Sequence, residues 1–195
     1  MRSLKFLVIT LGLALSVTAC GAPPQAELDA AKAAVDAAVT AGAGEYAAAS
    51  MKAVEDAQAA LDAELKAQEG NWLKSYTKAK ELAAAVKTAG EKASADAAAG
   101  KETAKNEATT AIADAKTLLT DAQALLDKAP KGKGTAADIE ALKTDLATAG
   151  TAITDAEAAI GAGKFLDAKA KAESAKTTAT SVKTAVEAAM AAKKR

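Results

Sequence analysis

The sequence predicts an all-α fold: an elongated antiparallel helical bundle or coiled-coil-like rod, built as two tandem three-helix units. Three observations predict it. Of the 195 residues 59 are Ala, while Gly is only 12, Pro only 3 and aromatic residues 3%, so helix formers abound and breakers are few. Apolar residues recur in alternating steps of three and four, the spacing of a narrow helical seam. The third observation is a faint internal repeat. Laid over itself at an offset of 93, the sequence places Gly70, Trp72 and Leu73 on Gly163, Phe165 and Leu166, and Tyr46 on Ile139. The elongated shape follows from the Ala content, because an Ala methyl buries far less area than a Leu or Phe side chain. Small side chains instead let helix axes approach to about 8 Å.

Taken in order, the chain opens with residues 1–19, set apart by composition, and a short tether at 20–24 whose Pro23 and Pro24 favour extended backbone. Breakers at Gly42 with Gly44, at Gly70 with Asn71, at residues 129–134 and at Gly161 to Gly163 then divide the rest. Six helical segments are expected, at about 25–41, 45–68, 71–99, 102–128, 135–160 and 164–192. Residues 25–99 form the first three-helix unit and 102–192 the second, with short turns making neighbours antiparallel. Gly90 and Gly100 leave the junction open, since a glycine costs a helix only about 1 kcal/mol; a continuous junction makes the molecule a rod.

Each seam can be named. The second segment carries Val54, Ala57, Leu61 and Leu65, with Tyr46 two turns earlier and Ser50 interrupting the stripe. Ala108, Ile112, Ala115, Leu119, Ala122 and Leu126 line the fourth, and Ile139, Leu142, Leu146, Ala149, Ile153, Ala156 and Ile160 the fifth. The sixth runs through Phe165, Ala168, Ala172, Ala175, Ala179, Val182, Val186 and Ala189. Such seams can be satisfied within one chain or between chains, so a homo-oligomer stays open.

Charge and rare residues narrow the chemistry. The formal net charge is zero, and setting aside Arg2 and Lys5 leaves 23 basic against 25 acidic residues. The one uninterrupted basic run is Lys193, Lys194, Arg195, which complements the carboxyl end of the last helix. Nucleic acid is not expected as a partner, because its binding rests on clustered Lys and Arg. With no His and one Cys the chain forms no internal disulfide and lacks the usual zinc, haem and copper ligands. No metal and no cofactor are expected.

Residues 1–19 read as a signal peptide. Arg2 and Lys5 make a basic start, and the apolar run from Phe6 to Val17 is too short for a bilayer span of about 20 residues. The run ends in Val17, Thr18, Ala19 and Cys20, with Leu15 upstream and Gly21 after, and this resembles a lipobox, the cleavage motif of bacterial lipoproteins. The resemblance implies cleavage after Ala19, a diacylglycerol on the Cys20 sulfur and an acylated new amino terminus. Two or more acyl chains exceed the marginal hold of one. Gly21 stands where an Asp would resemble the inner-membrane retention signal. The expected location is therefore the periplasmic face of the outer membrane in a Gram-negative envelope, and the outer face of the cell membrane otherwise.

Residues 25–98 resemble the DUF4398 family of small helical lipoprotein domains of unknown function. The resemblance is carried by Glu27 and Ala31 in an Ala-rich first helix, and by the run Gly42, Ala43, Gly44, Glu45, Tyr46. Ala53, Ala57 and Leu61 follow, then the turn Gly70, Asn71, Trp72 with Tyr76, Ala79, Leu82 and Ala83. It implies a lipid-anchored periplasmic helical domain and supplies no catalytic residues.

Trp72, Tyr76 and Phe165 fall in first turns after glycine breaks, where a ring is expected to plug the open end of a thin bundle. The sharper reading makes them a partner-binding patch with Trp72 at its centre, since an exposed aromatic on an Ala-rich surface is a natural hot spot. Carboxylate pairs such as Glu55 with Asp62, or Asp155 with Glu157, read as solvated faces with Lys at nearby helical spacings. No catalytic residue is expected. The expected role is a lipid-anchored spacer or scaffold facing an envelope protein or peptidoglycan; the alternative is a module binding a small ligand, lipid or peptidoglycan, for which Ala-filled seams leave little room.

Overall fold

The computed structural model describes residues 22–129 and 136–193. The protein is an all-α bundle, and the described residues form six helices: α1 Gln25–Thr40, α2 Ala43–Tyr46, α3 Ala48–Glu69, α4 Thr77–Leu126, α5 Ala136–Gly161 and α6 Phe165–Lys193. Among the described residues there is no strand. The expected third and fourth segments, 71–99 and 102–128, are one helix: α4 runs for 50 residues, about 75 Å at 1.5 Å per residue. Nothing between Thr77 and Leu126 is a proline.

Gly90 and Gly100 do not break α4, because they serve close approach. A Cβ on Gly90 would lie 2.8 Å from the backbone carbonyl of Ala34 in α1, and one on Gly100 would lie 2.2 Å from the carbonyl oxygen of Tyr46. Glycine spaced along one helix face usually signals this need for room rather than for flexibility. Read from sequence, the same residues suggested a junction; packed, they are where two backbones touch.

Cross-helix pairs fix the directions. Lys80 meets Glu27 at 3.5 Å and Gly90 lies on Ala34, so α1 runs parallel to α4. Lys78 meets Glu64 at 3.2 Å and the Ser50 hydroxyl donates to the Asp96 carboxylate, so α3 runs antiparallel to both. The pattern recurs further along. Lys116 meets Glu157 at 2.6 Å and Leu119 lies against Gly150, which together make α5 antiparallel to α4. Lys169 with Glu107 at 2.7 Å and Lys176 with Asp114 at 3.4 Å make α6 parallel to it. The first half of α4 thus carries α1 and α3, its second half α5 and α6, and the path up, down, up occurs twice with α4 shared.

The cores are seams, as the spacing predicts. One gathers Ala31, Val35, Ala38, Val54, Leu61, Ala83 and Val86 around the first half of α4. Along the second half, Ile112, Ala115, Ile153 and Ala172 lead into Leu126, Leu146, Val182 and Val186. The sixth seam departs at its end: Ala189 is exposed and Met190 packs inward instead. A straight helix drifts off a strict seven-residue repeat by about 20° per heptad, and by Val186 the drift favours a step of four.

Two glycine turns are tight. Gly42 at φ +84° and Gly163 at φ +73° occupy the left-handed region. At the second, the Gly163 N–H donates to the Ile160 carbonyl and the Lys164 N–H to that of Ala159, the paired bonds of a Schellman motif. Gly70 differs. Its φ of −81° and ψ of −8° are right-handed, so the chain does not reverse there, and α4 begins at Thr77 instead of the expected 71.

Candidate functional site

The loop 70–76 joins α3 to α4 and carries the most exposed large apolar residues of the described chain, Trp72 at 95% and Leu73 at 82%. The expectation that Trp72 plugs the end of a bundle is overturned. Trp72 and Leu73 both lie in the stretch after α3 ends at Glu69 and before α4 starts at Thr77, and both are exposed among the described residues. Tyr76, by contrast, is half-buried and packs against the first core, and Phe165 is buried at 8%.

The loop is pinned at its base. The Gln68 side-chain oxygen accepts the Ser75 backbone N–H at 3.0 Å and the Asn71 amide at 3.3 Å. The Gln68 amide in turn donates to Glu64 at 2.8 Å. That bond, then the Lys78 ammonium, holds the Glu64 carboxyl below its usual value of 4.5. Trp72 and Leu73 therefore project from a loop whose two ends are fixed.

Sequence reasoning grouped Trp72, Tyr76 and Phe165, and the structure separates them. Trp72 and Tyr76 share the loop before α4, whereas Phe165 opens α6 close to where Lys169 meets Glu107 of α4. The two places are about 40 Å apart along that helix. One patch cannot include all three.

Phe165 belongs to a joint that sequence reasoning missed. Tyr46 of α2 reaches across to the α5–α6 turn, its hydroxyl 3.4 Å from the Gly163 carbonyl it donates to. Burial raises the Tyr46 phenol above its ordinary 10.0, the Glu45 carboxylate adds to this, and the Phe165 N–H works against it. The signal that could have found the joint was Gly100, whose missing side chain admits the Tyr46 backbone.

Cys20 and its cleavage motif Val17, Thr18, Ala19 lie outside the described residues, as do Lys194 and Arg195. Glu55, Asp62, Asp155 and Glu157 are all exposed. Among the described residues no three His, Cys, Asp or Glu come together to hold a metal, and no helix is long and apolar enough to cross a membrane. A groove of about 350 Å³ between α5 and α6, lined by Ile139, Leu142, Val186 and Ala189 among others, lies at the surface. Compared with protein-family models, curated proteins and solved structures, the chain matches none.

Proposed function

We propose that this chain is a lipid-anchored protein of the bacterial cell envelope, held by acyl chains on Cys20, whose helical body acts as a spacer or scaffold toward an envelope protein or peptidoglycan. The observation that carries the reading is α4, 50 residues of unbroken helix clad on both halves by helices packed through Ala-lined seams. Such a body spans about 75 Å and is stiff along its length. Its interior holds no buried polar or charged residue among those described. Chemistry needs positioned polar groups, whereas a spacer needs only length and faces.

Polarity supports the same reading. Because α1 runs parallel to α4, its first turn lies level with the start of α4, where Glu27 meets Lys80. The far end of α4 lies beside α6, which ascends with it toward the carboxyl terminus. An anchor at Cys20 therefore holds one end of the rod, and the other is free to meet a partner away from the membrane. In a Gram-negative envelope the proposed location is the periplasmic face of the outer membrane, a reading supported by Gly21 standing after Cys20.

Fractionation with crosslinking tests the proposal. Full-length protein should pellet with membranes and capture an envelope partner or peptidoglycan fragment, and Cys20→Ser should release it in soluble form. A Cys20→Ser chain that stayed with the membrane would defeat the anchor.

A further inference from the structure

Among the described residues the most exposed large apolar ones, Trp72 and Leu73, sit at the end of the rod where α1 begins. Pro24 precedes α1 by one residue and Tyr76 precedes α4 by one. Glu27, three residues beyond Pro24, and Lys80, three beyond Thr77, meet at 3.5 Å. Parallel helices paired there keep Pro24 and Thr77 level to within about one turn. Only residues 21–23 lie between Pro24 and Cys20, a reach of at most about 14 Å. The loop carrying Trp72 and Leu73 thus lies at the same end as the proposed anchor.

We propose that the Trp72–Leu73 loop is a second membrane contact, seating in the headgroup and upper acyl region of the bilayer that the Cys20 lipid engages; this rests on the anchor reading above. Residue types fit. Trp pairs a large apolar body with one N–H donor and is enriched at this depth. Leu73 beside it is apolar and 82% exposed. Between Gly70 and Tyr76 the only charged residue is Lys74, whose long stem lets the ammonium reach headgroups while its neighbours go deeper. No carboxylate stands in the loop. Acids flank it: Glu69 ends α3, Glu81 lies in the second turn of α4, and Glu64 and Glu27 are paired with Lys78 and Lys80.

Rigidity and geometry add to the fit. Gln68 ties Asn71 and Ser75 together and Tyr76 roots the loop in the core, so little ordering remains to be done on contact. Around this end Lys78 pairs with Glu64 and Lys80 with Glu27, and Glu69 and Glu81 flank Lys74 in the sequence, so the charges are mixed in sign rather than gathered as a basic cluster. The contact is accordingly apolar, independent of anionic lipid and insensitive to salt. With two points of attachment the rod has a set inclination instead of pivoting on the tether.

Trp72 is the only Trp in the chain, so its fluorescence reports this loop alone. Lipidated full-length protein is reconstituted in phosphatidylcholine vesicles, with nitroxide groups either near the headgroup or deep in the acyl chain, and flotation and acyl mass are measured on the same sample. The expected result is a blue-shifted Trp72 emission, reduced by about half with the shallow nitroxide and less with the deep one. Leu73→Ser, a surface change that leaves the probe in place, should weaken the quenching. Acylated protein that floats while Trp72 keeps its aqueous emission, open to iodide and untouched by nitroxide lipid, overturns the contact and leaves the anchor standing. So does a crosslink of the loop to a protein with Trp72 shielded from lipid. Quenching in an unacylated chain keeps the contact and overturns the anchor, and an unacylated chain without quenching overturns both.

Discussion

Two turns with the same sequence pattern have opposite outcomes. Gly70, Asn71, Trp72, Leu73 and its repeat Gly163, Lys164, Phe165, Leu166 each follow a long amphipathic helix, yet Trp72 is 95% exposed and Phe165 8%. Backbone explains half of the difference. Gly163 is left-handed and reverses the chain at once, so α6 starts at Phe165; Gly70 is right-handed and α4 starts seven residues later, at Thr77. Surroundings explain the rest. The second turn lies beside the middle of α4, where Tyr46 reaches it, whereas the first lies at the tip of the rod. A ring is buried where something stands beside it, and a local pattern does not contain that information.

The largest expected effect comes from exchanging the two rings for Ala. Phe165→Ala should cost about 3–5 kcal/mol of stability, the usual range for a buried Phe, while Trp72→Ala should stay within about 0.5 kcal/mol, as exposed substitutions do. Chemical denaturation of both variants checks this. Equal losses would mean that Trp72 is packed.

Next in size is Gly100→Ala. Its methyl would meet the Tyr46 carbonyl oxygen at 2.2 Å, so backbone must move, at about 2–3 kcal/mol and a melting point lower by roughly 5–10 °C. Gly150→Ala is its control, because the nearest atom there is the Leu119 Cδ2 at an ordinary 3.8 Å. It should stabilise by about 0.5–1 kcal/mol through helix propensity alone.

The turns themselves differ by less. Gly163→Ala forces an L residue into the left-handed region and should cost about 1–2 kcal/mol, whereas Gly70→Ala, at φ −81° and with its nearest neighbour at 4.0 Å, should be neutral or slightly stabilising. Calorimetry on the pair separates a left-handed requirement from a general intolerance of side chains.

Smallest is the response to pH, and it too divides the molecule. Asp96 lies below its usual 3.8 through Lys92 and then Ser50, and Glu64 below its 4.5 through Gln68 and then Lys78. Carboxyls lowered by folding contribute stability above those ordinary values and lose it as pH falls through the lowered ones. Ser50–Asp96 and Glu64–Lys78 join α3 to α4, so hydrogen exchange below about pH 4 should quicken in α3 before α6. At the alkaline end, Tyr46 is raised above 10.0, and Lys176 above 10.5 through Glu173 and then Asp114. Their contributions are whole below those values and decline as pH climbs through the raised ones, so the joint and α6 should loosen first.

What was legible in the sequence was whatever a helix face can say by itself. The seams through Leu146, Ile153, Ala175 and Val182 are read from spacing, and they are buried. Gly42 and Gly163 lie where the pattern stops, and both are left-handed. Gly90 and Gly100 were ambiguous because a helix-breaking glycine and a close-approach glycine are the same letter; only the partner strand of backbone, at Ala34 or Tyr46, separates them. The Tyr46 joint and the exposure of Trp72 were illegible for a related reason, since both depend on what lies beside a residue 40 or more positions away or on nothing lying there.

The continuity of α4 is the claim on which spacer length, polarity and the position of the Trp72 loop all depend. Spin labels on Lys80→Cys and Asp121→Cys, both exposed sites on α4, placed in a Cys20→Ser background that removes the only native thiol, measure it by pulsed dipolar spectroscopy. An unbroken helix predicts one narrow distribution centred at about 62 Å. A centre well below about 50 Å, or two populations, would show α4 bent or folded back near Gly100, and the rod would be wrong.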